Sequence, residues 1–215
     1  MTVSGAVLLA SFTGGCGAVP LAGRSQPAGR AAFWAREQEV PPAVRLPLLI
    51  ADFDGPGHQT NAGEAFGAWE SDPGDRTQSC RIRLVDTVRL GPRGYGLMVE
   101  YDVDSPNPAY NGVWMKLPHV RLRDYDALAF SIKGDPDRGF TRTIRLELKG
   151  GGRVARFELE GIEKDWKQVE IPLREFEDVA GIWEATEFVI VFEDHAVTER
   201  TGALYLDNVV FEPAA

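Results

Sequence analysis

Tyr125-Asp126-Ala127-Leu128-Ala129-Phe130-Ser131-Ile132-Lys133-Gly134 and, after a turn, Ile144-Arg145-Leu146-Glu147-Leu148-Lys149 decide the fold class. In the first segment Leu128, Phe130 and Ile132 alternate with Ala129, Ser131 and Lys133. In the second, Ile144, Leu146 and Leu148 alternate with Arg145, Glu147 and Lys149. Successive side chains of a strand point to opposite faces, so each segment carries one apolar and one polar face. Between them, Gly134-Asp135-Pro136-Asp137-Arg138-Gly139 is dense in turn-forming residues. The pattern predicts adjacent antiparallel strands with one face on a core and the other open.

The same period recurs on both sides. Residues 46–55 predict a strand running into a turn, followed by a long loop punctuated by Asn61, Gly63, Gly67 and Trp69. Residues 80–90 predict a strand with Ile82, Leu84 and Val88 inward. Residues 94–103 place Leu97, Val99, Tyr101 and Val103 on one face and Met98, Glu100 and Asp102 on the other. Residues 111–117 turn Val113, Met115 and Leu117 inward and Trp114 and Lys116 outward. Downstream, residues 153–160 and 166–172 alternate again, and residues 173–176 suit a single helical turn. Phe188, Ile190 and Phe192 mark another strand, and residues 203–211 the last. About ten short strands at this spacing, with no long helix, predict an all-β, two-sheet antiparallel sandwich.

Composition narrows the function. The 215 residues, 44% hydrophobic and 26% charged, suffice for one domain with a proper core. A net charge of -9 and the lack of any basic patch argue against nucleic acid as a partner. Cys16 and Cys80 could form one disulfide only if the N-terminal segment folds back, and no Cys or His spacing suggests a zinc site. No Gly-x-Ser-x-Gly turn, phosphate loop or dinucleotide fingerprint occurs, and no catalytic residue is predicted.

The N-terminus reads as an export signal. Ala6-Val7-Leu8-Leu9-Ala10-Ser11-Phe12 is too short an apolar run to span a bilayer, and small residues lead from it to Cys16. That arrangement resembles a bacterial lipoprotein signal, with Cys16 the lipidated residue. It departs from the pattern in having no Lys or Arg before the run and Thr13 where Leu is usual. Residues 1–16 are therefore read as a signal, 17–45 as a flexible, disordered tether and 46–215 as the β-sandwich. The expected location is the cell envelope, periplasm or exterior, with membrane contact only through the lipid.

Four segments carry a family resemblance. Residues 125–135, Trp166-Lys167-Gln168-Val169-Glu170-Ile171-Pro172-Leu173, Leu204-Tyr205-Leu206-Asp207-Asn208-Val209 and Asp52-Phe53-Asp54-Gly55 resemble, in order, strands of family 11 carbohydrate-binding modules. The wider class is the galactose-binding-like jelly roll, which includes the complex I intermediate-associated protein 30 group. The resemblance implies the jelly-roll fold, and with it either polysaccharide or oligosaccharide binding or docking of a protein partner. Jelly rolls of this type commonly set first and last strands side by side and hold a structural calcium there. Asp52, Asp54 and Asp207 are the candidate ligands, calcium requiring six to eight oxygens.

The open, concave sheet face is the predicted ligand site. The outward set is Trp114, Lys116, Ser131, Lys133, Arg145, Glu147, Arg156 and Glu158. A sugar asks for an aromatic plane against its C–H groups and for planar polar groups against vicinal hydroxyls. Trp114, with Tyr110 beside it, suits the first role; Lys133, Arg145, Glu147 and Arg156 suit the second. The competing reading is that alternating charges on a sheet simply pair across strands. Unpaired arginines in a groove beside Trp114 would favour sugar. A flat face with every charge paired would favour a scaffold role or plain surface.

Overall fold

The computed structural model describes residues 45–55 and 57–213; the proposed leader, Cys16 and residues 17–44 of the tether lie outside the described residues. The alternating segments become eleven strands: β1 (Leu48–Ala51), β2 (Phe66–Glu70), β3 (Ser79–Val85), β4 (Gly96–Asp102), β5 (Tyr110–Arg121), β6 (Tyr125–Gly134), β7 (Thr143–Gly150), β8 (Arg153–Glu160), β9 (Lys167–Pro172), β10 (Glu184–Glu193) and β11 (Thr201–Pro213). One sheet runs β3-β4-β11-β6-β9, with β1 also paired to β11. The other runs β2-β5-β10-β7-β8. All pairings are antiparallel.

The dry faces are those that alternation assigns. Leu128, Phe130 and Ile132 of β6 share one buried cluster with Ile144, Leu146 and Leu148 of β7, Phe188, Ile190 and Phe192 of β10, and Leu97, Val99 and Tyr101 of β4. Phe130 meets Phe188 at 6.1 Å between ring centroids, and Tyr101 stacks on Phe192 at 4.2 Å. Transfer of these side chains from water is the main favourable term in folding such a sandwich.

One expectation is corrected. β6 and β7 are not neighbours in a sheet: β6 lies between β11 and β9, and β7 between β10 and β8. The segments face each other across the core. Residues 135–142 are longer than a tight hairpin needs and long enough to cross the roughly 10 Å between packed sheets. Periodicity reports which side of a strand is dry; it says nothing of which strand lies alongside.

Three further differences follow from non-local pairing. β2 falls inside the predicted loop, because Gly67 and Trp69 resemble punctuation until β5 pairs with them. Val88 packs on the outer side of the six-stranded sheet, with Met98, Ala203 and Tyr205, rather than inward. β11 carries a bulge: its register against β6 jumps between Asp207 and Val210, with Asn208 at φ 53°. Leu204 and Leu206 are core residues before the bulge, and Val209 and Phe211 after it. The last strand does lie beside the first, Leu48 opposite Phe211.

The dry and wet sides of β7 should differ in energy. Leu146→Ala is expected to lower the unfolding free energy in urea by roughly 2–5 kcal/mol, and Lys149→Ala by about 1 kcal/mol or less. Equal losses would contradict the assignment of faces.

Candidate functional site

The outer side of the five-stranded sheet gathers most of the predicted residues. β5 turns Tyr110, Trp114 and Lys116 outward; β7 turns out Arg145, Glu147 and Lys149; β8 adds Arg156 and Glu158. β10 lies between β5 and β7 and contributes Glu187, Val189, Val191 and Glu193. Lys133 is not brought to this face. It lies on β6 in the other sheet, with its Nζ 5.9 Å from the Tyr205 ring centroid.

Two tryptophans lie beside two glycines. Gly67 of β2 stands opposite Trp114 of β5, and Gly112 of β5 opposite Trp69 of β2. A Cβ on Gly67 would fall 2.8 Å from Trp114 Cζ2, and one on Gly112 would fall 3.1 Å from Trp69 Nε1. The Trp114 indole therefore occupies the space a side chain at 67 would take, whereas at Gly112 the Ile190 carbonyl oxygen of β10 excludes a side chain first and Trp69 lies alongside. Tyr110, 47% exposed, meets Trp69 edge-on at 5.7 Å. Lys116 Nζ stands 5.6 Å from the Trp114 ring centroid.

A chain of ion pairs continues from there. Lys116 pairs with Glu187; Lys149 Nζ lies 3.5 Å from Glu187 and 3.4 Å from Glu147. Arg145 Nε lies 3.2 Å from Glu147, its guanidinium also pairs with Glu193, and Arg156 Nε is 3.7 Å from Glu147. Glu147 thus faces three cations and is 7% exposed. Val189 and Val191, on the outer side of β10, are each 1% exposed. The polar side chains lie across these valines as a lid of methylene stems and charged heads.

Two hollows result. One, of about 380 Å³, is lined by Trp69, Trp114, Lys116, Lys149, Glu187 and Val189. The second, of about 280 Å³, lies among Arg145, Arg156, Glu158, Glu175 and Glu177. In the second, burial pushes the Glu158 carboxyl above its ordinary range; Arg145 opposes this, while Glu193 and Glu177 add to it. A larger hollow of about 620 Å³ near Phe140, Arg142 and Lys164 holds none of the predicted residues.

Arg145 and Arg156 are thus both paired, the outcome that by itself favours a scaffold role or plain surface over sugar, although the pairs leave hydrogen-bonding sites to spare. A guanidinium has five N–H donors and an ammonium three, so the exposed members, Arg156 and Lys116, keep donors for a ligand, while Glu147 is covered by its three cations. Mutual pairing also fixes rotamers before any ligand arrives, which lowers the entropy lost on binding.

The carboxylates proposed for calcium lie at the β1–β11 seam. Asp52 accepts from Asp54 N (3.0 Å) and Asn61 Nδ2 (2.9 Å). Asp54 Oδ1 accepts from Tyr95 N (3.0 Å), and Asp207 Oδ2 from Leu90 N (2.8 Å). Oxygen donors suit calcium, yet here they are engaged by amides, and among the described residues no group of three His, Cys, Asp or Glu could hold a metal ion. Asp207 is 2% exposed, and its pKa is raised to about 6. Burial is the main cause; Asp54 and Asp52 add to it, and the Leu90 and Asn208 amides oppose it. Cys80 is a buried free thiol whose pKa burial pushes up to about 12, which removes it as a nucleophile at neutral pH.

No family model matches the sequence, and no curated protein matches it. Solved structures do match. The family 11 carbohydrate-binding module from Clostridium thermocellum, in complex with a β-1,3-1,4-mixed-linked tetrasaccharide, aligns with a TM-score of 0.57 at 18% identity, covering 78% of this chain and 96% of that one. The family 11 module of a cellulosomal cellulase from the same organism gives 0.56 at 17% identity, covering 78% and 95%. A family 30 module of a Clostridium thermocellum cellulosomal cellulase gives 0.53 at 16% identity, covering 79% and 98%. At these identities the likeness establishes the fold, the two-sheet sandwich of these modules.

Asp207 makes stability depend on pH. Its carboxyl holds its proton to about pH 6 when folded and ordinarily loses it near 3.8. Folding therefore takes up a proton between these values, and the native state loses stability as pH rises through that window. In EDTA, Asp207→Asn is expected to melt higher than wild type at pH 7.5, with the gap shrinking by pH 4. A gap independent of pH would show that Asp207 titrates normally.

Proposed function

We propose that this chain is a non-catalytic carbohydrate-binding protein whose ligand lies across the outer face of its five-stranded sheet. The observation that carries this reading is the Trp114 indole seated on Gly67, with Trp69 lining the same hollow, at the head of a pre-paired chain of Lys, Glu and Arg. An indole held flat offers a plane to the C–H face of a pyranose, and the neighbouring charged groups offer hydrogen bonds to hydroxyls on its rim. Trp114, Tyr110, Arg145, Glu147 and Arg156 are the sequence-predicted members of this site; Trp69, Lys149 and Glu187 join them. The fold supports the reading, and the mixed-linked tetrasaccharide in one matching structure makes that glucan the first ligand to try.

A protein-docking role is the second reading. It is favoured by the pairing of Lys116, Arg145, Lys149 and Arg156 with acids, which a ligand-free binding face does not require. Export, with Cys16 as a lipid anchor, belongs to the proposal and rests on the leader pattern alone. Structural calcium at Asp52, Asp54 and Asp207 belongs to it too, supported by three carboxylates whose charges act on one another. Calcium added to the Asp207→Asn series should raise the wild-type melting temperature and leave the variant unmoved; a wild type indifferent to calcium would remove the ion.

In native gels containing mixed-linked β-glucan, the wild-type chain should be retarded without releasing reducing sugar. Trp114→Ala should run freely at an almost unchanged melting temperature. Equal retardation of both proteins would overturn the assignment of the face, and sugar release would overturn the non-catalytic reading.

A further inference from the structure

At one end of the sandwich stands an exposed tryptophan that neither the core nor the outer face explains. Trp183 is 62% exposed, immediately before β10. Its backbone carbonyl accepts from Leu122 N at 3.2 Å, so the chain beneath it is anchored. The guanidinium carbon of Arg123 lies 4.3 Å from the indole centroid. Stacking of this kind holds the ring in place at a site where water would otherwise let it turn.

The indole borders a groove of about 380 Å³ whose apolar floor includes Leu122, Leu173 and Ile182, all buried. Arg174 lines the same groove and has no ion-pair or hydrogen-bond partner among the described residues. Arg45, Arg121 and Arg123 lie 3.1, 3.0 and 3.7 Å from Asp124, while Arg153, packed against the lining residue Gly181, adds a second cation without an ion-pair partner among the described residues. Of the neighbouring acids, Glu175 and Glu177 line the hollow beside Arg156 and Glu184 faces His119. Arg174 is therefore a free, fork-shaped cation beside a fixed aromatic plane, in a chain of net charge -9.

We propose that this groove is a second sugar site, selective for a pyranose that bears a carboxylate. The C–H face of the ring would lie on Trp183, and the carboxylate would take paired hydrogen bonds from Arg174. The groove's volume falls in the range of small-ligand pockets. A stable protein interface needs about 800 Å² on each partner, so a uronate fits the site better than an acidic protein surface. The site shares no lining residue with the Trp114 groove and stands independently of the reading given for that face.

The test is native gel electrophoresis of the full chain in polygalacturonate, with mixed-linked β-glucan and poly-glutamate gels alongside. Polygalacturonate should retard the wild type despite its net negative charge, which disfavours any unspecific attraction to a polyanion. Trp183→Ala and Arg174→Gln should each weaken that retardation at least about tenfold, the scale of one charge-assisted contact, while their melting temperatures stay unchanged. Trp114→Ala should retain it. Retention that depends on Trp183 upholds the site even if β-glucan fails to bind. No retardation of the wild type, retardation undiminished in both variants, or equal retardation by poly-glutamate would overturn it.

Discussion

Two sheets closed on one dry layer set every other feature of this molecule. Leu128, Phe130 and Ile132 reach in from one sheet, and Ile144, Leu146 and Leu148 from the other. Because side chains alternate, committing the even-numbered residues of β7 to that layer forces Arg145, Glu147 and Lys149 to the outside. The same commitment on β5 sends out Tyr110, Trp114 and Lys116. β10 joins these two strands into a single surface. The composition of the outer face is thus a consequence of how the core is filled.

What makes that face more than a solvated surface is its depth. Val189 and Val191 are covered as thoroughly as core residues, although they lie on the wet side of β10. The covering groups are long polar side chains, cross-linked as cation–anion–cation, with the two indoles at one edge. Exposed ion pairs add little stability singly. Where methylene stems exclude water and one carboxylate serves three cations, the pairs instead hold hydrogen-bonding groups in fixed directions. That rigidity is what a face needs if it is to select among hydroxyl patterns.

The alternation of apolar and polar residues is legible in the sequence, and so is the sandwich. It locates the dry side of β4, β6 and β7 residue by residue, because that signal is local. The partners of each strand were not legible. The sequence pattern makes β6 and β7 neighbours, although they belong to opposite sheets, and puts Lys133 on a surface it does not share. β2 was lost because Gly67 and Trp69 make sense only when Trp114 and Gly112 stand opposite. The side-by-side placement of Asp207 and the first strand came from resemblance. The burial of Asp207 depends on residues 86–95 and the bulge at Asn208, which no period announces.

The decisive measurement is on the indole N–H resonances of a ¹⁵N-labelled sample titrated with a neutral mixed-linked tetrasaccharide. If the outer face of the five-stranded sheet holds the ligand, the signals of Trp69 and Trp114 shift together and saturate, while those of Trp166 and Trp183 stay in place. Shifts confined to Trp166 or Trp183, with Trp69 and Trp114 unmoved at saturating sugar, would place the ligand elsewhere and contradict the reading of this face.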